Sequence, residues 1–201
     1  MIVIENKINY YQKVAEEEHD IVMCFSSYPT FRHEIFPEYK LNRIDKRHPM
    51  ALPNAIKLVK TKYKSEQLDN LEGDDVLGLL ATNKKYNDPI IVSPDKDMRT
   101  IPCKLIAKDD IELITKRKAD RAWMQQSLSG DTTDNYKGLE KVGAVTAEKI
   151  LGDTNTLEDM WKKVTEAYQK KGQTIKEAIL TARLARILRE GDYNYTTGEV
   201  K

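Results

Sequence analysis

Apolar residues recur along the chain in two spacings. Near helical spacing they predict helices over residues 2–18, through Ile4, Ile8, Tyr11, Val14 and Ala15, and over 51–64. A third helix starts near Gly73 and buries Val76, Leu77, Leu79 and Leu80. Ala119–Ser129 puts Ala122, Trp123, Gln126 and Ser127 on one face, with Trp123 read as core rather than as a base-stacker. Val145–Leu151 is another helix. Thr156–Tyr168 opens on a Thr156/Asp159 cap and carries Leu157, Trp161, Val164 and Tyr168 as a stripe. Ile175–Arg189 turns Ile175, Ile179, Ala182, Leu184 and Ile187 toward a core. Short apolar runs at Ile21–Phe25, Ile90–Val92 and Ile101–Ile106 predict strands; the continuous β-branched run from Ile90 suits a buried parallel strand. Gly191-Asp192 breaks the last helix before a final strand at Tyr193–Thr197.

Composition changes little until it is read locally. The 201 residues carry 33 Lys or Arg against 32 acids, a net charge of +1. That suits one domain, or one with a small appendage. Residues 32–64 hold nine bases and three acids, whereas residues 65–80 hold five acids and no base. A basic stretch thus adjoins an acidic one. Cys24 and Cys103 form no disulfide or zinc pattern, which points to a reducing cytoplasm. His19, His33 and His48 are isolated and read as surface or packing residues. No apolar run is long enough for a membrane span.

Three acid clusters each adjoin an apolar element. Glu72, Asp74 and Asp75 open the Gly73 helix, where the dipole alone would favour negative charge. Asp95 and Asp97 follow the Ile90 strand, at the strand end where ligands of open α/β sheets bind; the plain alternative is an Asp-rich turn. Asp131 and Asp134 lie three apart and can share one helical turn. Seven carboxylates without clustered His or Cys form a hard-oxygen ligand set, suited to Mg2+ or Mn2+ rather than zinc. A pair of such ions about 4 Å apart is the usual device for phosphodiester hydrolysis.

These stretches, together with Gly138-Leu-Glu-Lys-Val-Gly143-Ala-Val-Thr-Ala147, resemble the flap endonuclease and 5′→3′ exonuclease superfamily, most closely the enzymes of short-tailed DNA phages. The likeness includes Phe31-Arg32-His-Glu34, Glu38-Tyr-Lys40-Leu-Asn-Arg43, Ala185-Arg-Ile-Leu-Arg189 and Tyr193-Asn-Tyr195. It implies a PIN-like α/β fold: a central, mostly parallel sheet flanked by helices in residues 1–128, then a helix–three-turn–helix region over 129–201. It implies one metal held by Glu72, Asp74, Asp75 and Asp95 and a second by Asp97, Asp131 and Asp134. Lys40, Arg43 and Arg32 would face the phosphates near the scissile bond. Gly138, Lys141, Val142, Gly143, Ala144, Thr146 and Lys149 would meet the DNA backbone, with K+ bridging the Gly138–Gly143 loop to a phosphate. The expected partner is DNA with 5′ ends or flaps, without a membrane, in the cytoplasm of an infected host cell.

Two departures stand out. Relatives place an aspartate after the first strand here, where this chain has Ser26 and Ser27. They also begin with a middle strand ending in a metal-binding aspartate, and the resemblance implies that this sequence starts past it. The resemblance therefore leaves two rivals to a nuclease: a catalytically impaired DNA-binding protein of the same fold, and half of a split nuclease completed by a separately encoded N-terminal segment. A PIN-type ribonuclease is disfavoured by the Gly138–Gly143 loop.

Overall fold

The computed structural model describes residues 2–16, 19–44 and 49–201. Lys46, Arg47 and His48 of the basic stretch lie outside the described residues, as do the last two positions of the first expected helix. Helix α1 (Ile2–Val14) precedes β1 (Val22–Phe25), α2 (Phe31–Ile35), a 3-10 turn (Leu41–Arg43), α3 (Leu52–Lys62) and β2 (Lys64–Gln67). Next come α4 (Gly73–Thr82), β3 (Ile90–Val92), a 3-10 helix (Lys96–Thr100), β4 (Lys104–Ile106) and β5 (Ile111–Leu113). The remainder is α5 (Lys116–Ser129), β6 (Gly130–Asp131), β7 (Tyr136–Lys137), α6 (Ala144–Leu151), α7 (Leu157–Lys170), α8 (Ile175–Ala185) and a hairpin of β8 (Tyr193–Asn194) and β9 (Glu199–Val200).

The class is α/β, but the expected central sheet is in two pieces. β1 pairs in parallel with β2, Val22 opposite Lys64. β3 pairs in parallel with β4, and β4 antiparallel with β5. Among the described residues no strand joins β1 to β3, although α4 packs against both. Helix α4 explains how two pieces hold one shape. Val76 and Leu79, three apart, are fully buried, as are Asp75 and Gly78 on the same side. Gly78 has no side chain because the carbonyl of Leu188 crosses there; an added Cβ would lie 2.2 Å from that oxygen. Helix α1 buries no residue at all, and all four residues of β1 stay half-exposed.

The second half is helical and better packed. Met124 and Leu128 of α5 meet Ala147 and Leu151 of α6, Met160, Val164 and Tyr168 of α7 and Ala178 of α8. Thr156 caps α7 through the Asp159 amide at 3.1 Å, as its spacing predicts. Trp123 donates from Nε1 to the Ala182 carbonyl (2.9 Å), in keeping with a packing role. Helix α8 ends four residues early. Ile175 and Ile179, expected inside, are each 45% exposed, because the buried side is Ala178, Thr181, Ala182 and Ala185.

Residues 186–189 leave the helix extended and knit the two halves together. Arg189 donates from Nε (3.2 Å) and Nη2 (2.6 Å) to the Thr100 carbonyl and from Nη1 (2.6 Å) to Asp120. Burial raises the Asp120 pKa, but Lys116 and Arg189 outweigh it and hold the carboxyl below its usual range. A depressed folded-state pKa stabilises above the unfolded value, about 3.9, and that stability is lost as pH falls below it. Asp120→Asn is therefore expected to cost about 1.5–3 kcal/mol at pH 7, the worth of a charged hydrogen bond. It should also flatten the loss of melting temperature below about pH 4. Thermal melts from pH 3 to 7 read both; parallel curves would remove Asp120 from the account.

Candidate active site

Three acid-bearing segments and one basic segment converge at one end of the sheet pieces. The first is the N-terminus of α4. Here Ser26 and Ser27 do the local work: Ser26 Oγ accepts from the Gly73 amide (2.8 Å) and Ser27 Oγ from the Leu71 amide (3.0 Å). The hydroxyls are thereby spent on seating α4. Glu72, at the helix cap, meets Lys40 Nζ at 2.5 Å and the Tyr39 hydroxyl at 3.0 Å. Asp74 sits among like charges. Burial, then Glu72, Asp95 and Asp75, push its carboxyl up to about 7.

Asp95 caps the 3-10 helix by accepting from the Asp97 amide (2.9 Å). Asp97 is pushed up to about 6, by burial and then by Asp95. Asp131 accepts from the Thr133 amide (2.7 Å) and pairs with Lys96 Nζ (3.2 Å). Burial raises Asp131, but those two contacts outweigh it and leave the carboxyl below its normal value. Asp134 is bound by Arg43 and by the Tyr39 hydroxyl (2.9 Å), with Lys40 Nζ at 3.6 Å.

Lys40 reaches the cluster because its backbone turns left-handed, φ 55°, with its amide tied to the Asp134 carbonyl (2.9 Å). Arg43 Nε and Asn42 Nδ2 fix the next residues to the Thr133 carbonyl (3.1 and 3.4 Å). Tyr39 is 3% exposed and stands between Glu72 and Asp134. Its phenol, pushed up by burial, stays protonated and donates to one carboxylate at a time. Neither Tyr39 nor Lys96 is singled out by sequence reasoning. Both lie inside quoted motifs, Glu38-Tyr-Lys40 and Asp95-Lys-Asp97. The available signal was a polar residue flanked by the acids or bases already chosen.

Two expected site residues are elsewhere. Arg32 and Asp75 form a buried two-pronged pair, Nη1–Oδ2 2.6 Å and Nη2–Oδ1 2.8 Å. Asp75 also accepts from the Glu72 amide (3.1 Å) and the Leu188 amide (3.2 Å). Arg32 donates to the carbonyls of Leu184 (3.0 Å) and Arg186 (2.5 Å). With these bonds made and exposures of 2% and 0%, Arg32 does not face a phosphate and Asp75 does not face a metal. They brace the cluster from behind.

The donor set fits divalent metal in its chemistry. Glu72, Asp74, Asp95, Asp97, Asp131 and Asp134 are oxygen donors, and Asp74 and Asp97 are raised first by burial and then by the neighbouring acids, a repulsion that a cation would relieve. Among the described residues no three acids already stand as a ligand group. Lys40, Arg43 and Lys96 hold the carboxylates instead, and a metal has to take over those positions.

The turn before α6 forms a second surface. Gly138 is pressed against Leu128–Gly130, where a Cβ would lie 2.2 Å from the Leu128 carbonyl. Its bareness thus serves packing. Val142 buries its side chain, 8% exposed. Gly143 is the open position: a Cβ there meets nothing within 4 Å. Helix α6 starts at Ala144 without a side-chain cap, which leaves its first amides to an anion. Lys141, with φ 61°, and Lys149 and Thr146 are exposed nearby.

The family model of the 5′-3′ exonuclease N-terminal, resolvase-like domain matches residues 2–143. The exodeoxyribonuclease of Enterobacteria phage T3 is 28% identical over 98% of this chain and 78% of its own length. The exonuclease of Escherichia phage T7 is 27% identical over 98% and 79%. Among solved structures, the phage T5 5′-exonuclease with bound zinc superposes with a TM-score of 0.67 at 17% identity, over 90% of this chain and 78% of that one. The phage T5 flap endonuclease, in a pseudo-enzyme–product complex with DNA and metal ions, gives 0.66 over the same shares. No described helix is long and apolar enough to cross a membrane. The chain belongs to the 5′-3′ exonuclease family, through its N-terminal resolvase-like domain.

Proposed function

We propose that the chain is a divalent-metal-dependent 5′→3′ exonuclease or flap endonuclease, hydrolysing DNA phosphodiester bonds in phage replication or recombination inside the host cell. The observation that carries this reading is that Tyr39, Lys40 and Arg43 draw Glu72 and Asp134 together from two segments, while Asp74, Asp95, Asp97 and Asp131 lie near enough to raise one another's proton affinity. The names of the phage T3 and T7 relatives support it. Glu72, Asp74 and Asp95 would hold one magnesium or manganese ion, and Asp97, Asp131 and Asp134 the second. Bound there, the ions would lower the pKa of the attacking water and offset charge on the leaving oxygen. Tyr39 fixes the spacing of Glu72 and Asp134. Lys40 and Arg43 bind the phosphate oxygens on which charge builds up. In the 129–201 region, Gly143, Ala144 and Thr146 offer amides to the duplex backbone, Lys141 and Lys149 add charge, and the Gly138–Gly143 loop would hold a K+ ion that offsets phosphate charge. These contacts position DNA without reading its sequence.

The free edges favour a second reading on the same fold. β1 pairs only with β2 and β3 only with β4 among the described residues, both against α4. A further strand-bearing segment, supplied separately, would pair with them and bring another acid to the cluster.

Cleavage of 5′-labelled duplex and flap DNA with magnesium or manganese, beside Asp131→Ala, tests both. Metal-dependent cleavage that drops to background in the variant is the expected result. An inert protein that still binds duplex would overturn the catalytic reading for this chain, leaving a DNA-binding protein. Activity restored by an added strand-bearing segment would identify the split enzyme.

A further inference from the structure

Both tryptophans of the protein line one cavity of about 290 Å³, set between α2, α5, α7, α8 and the C-terminal hairpin, away from the acid cluster. Its chemistry is specific. The Arg186 guanidinium lies over the Trp123 ring, 4.3 Å from the centroid. Nε (2.8 Å) and Nη2 (2.7 Å) hold one oxygen of Asp192, while Nη1 is buried without a hydrogen-bond partner. Arg183, one turn back on α8, is exposed and, among the described residues, makes no ion pair. Trp161 and Phe31 supply further aromatic wall, and Asp192 supplies an acceptor.

Arg183, Arg186 and Lys201 against the one carboxylate side chain of Asp192 favour an anion. Flat aromatic and guanidinium surfaces favour a planar ring. The volume is at the small end for ligand pockets, which run from roughly 300 to 1,000 Å³. It has room for one base and its phosphate and none for a duplex. We propose that this cavity binds a single nucleotide. The base stacks on Trp161 and the Arg186 guanidinium, Asp192 accepts from a base N–H, and the exposed Arg183 takes the phosphate. A free 5′-mononucleotide and one unpaired nucleotide of a DNA strand present this same chemistry. The cavity also touches the framework of the acid cluster, since Arg32 donates to the Arg186 carbonyl (2.5 Å) while pairing with Asp75.

The two tryptophans make the test direct. Their emission is followed while the full chain is titrated, in chelator, with deoxyadenosine monophosphate, tetrathymidylate, inorganic phosphate or N-acetylphenylalanine. Chelator keeps divalent ions off the acids, so the result stands apart from nuclease activity. Saturable quenching by either nucleotide ligand, half-complete below ~1 mM, is expected, weakened about tenfold by Arg183→Ala with unchanged melting. Tighter binding of the mononucleotide assigns a product site, and of the oligonucleotide a strand site. No saturation with either overturns the proposal. So does phosphate matching the nucleotides, N-acetylphenylalanine exceeding them, or indifference to Arg183→Ala.

Discussion

Arg32→Met is expected to lower the unfolding free energy by about 3–5 kcal/mol, the cost of stranding a buried charge. The side chains of Arg32 and Asp75 are 3% and 0% exposed, so water cannot replace the lost partner. Burial works against the Arg32 charge, and Asp75 more than offsets it. The variant also orphans the Leu184 and Arg186 carbonyls, which otherwise accept at 3.0 and 2.5 Å. Arg32→Met combined with Asp75→Leu removes the stranded charge and is expected to recover part of the loss. The orphaned carbonyls, and the Leu188 and Glu72 amides that Asp75 satisfies, keep the double variant below the parent. Arg43→Met is the contrast: its side chain is 36% exposed, and removing it should cost at most about 1 kcal/mol. Denaturant titration of the three proteins decides. Arg32→Met and Arg43→Met losing equal stability would mean that the buried pair braces nothing.

The second large effect is at Gly138. Gly138→Ala puts a Cβ 2.2 Å from the Leu128 carbonyl and 2.4 Å from the Gly130 amide nitrogen, both backbone atoms. No rotamer relieves that contact, so the β6–β7 pairing or the end of α5 has to open. A loss of about 3 kcal/mol, the upper end for overpacking, is expected. Gly143→Ala meets nothing within 4 Å, and its φ of −98° suits alanine. Its stability should change by less than about 1 kcal/mol, as at a cap position. Duplex affinity, followed by anisotropy, should fall in Gly143→Ala if the loop meets DNA as proposed, because the methyl would stand in the path of the phosphate. Unchanged affinity there would detach the loop from DNA.

Periodicity found the elements wherever one side of a helix faces a single core. Val76 and Leu79 of α4 and the Leu157–Tyr168 stripe of α7 are examples. It misjudged α8, because small residues line the close contact with α5 and its larger isoleucines point outward. The acids were legible as clusters but not as roles. Nothing in Glu72-Gly-Asp74-Asp75 says which carboxylate faces inward. Arg32, 43 positions from Asp75 along the chain, settles that, and such a partner has no local signature. Tyr39 and Lys96 were overlooked for the same reason: their contacts are made across the fold.

The extended stretch at residues 186–189 also sets an order of events. Leu188 braces Asp75, Arg189 closes on Thr100, and the Arg186 carbonyl seats Arg32. These partners are synthesised long after the acids that they steady. At translation rates of about 5–20 residues per second, the interval from Thr100 to Arg189 is roughly 5–20 s. Through that interval the growing polypeptide carries Asp75 and Arg32 and lacks the amide and the carbonyl that fix them. The brace behind the first acid cluster is therefore closed last, and a chain released before residue 188 leaves Arg32 and Asp75 without it.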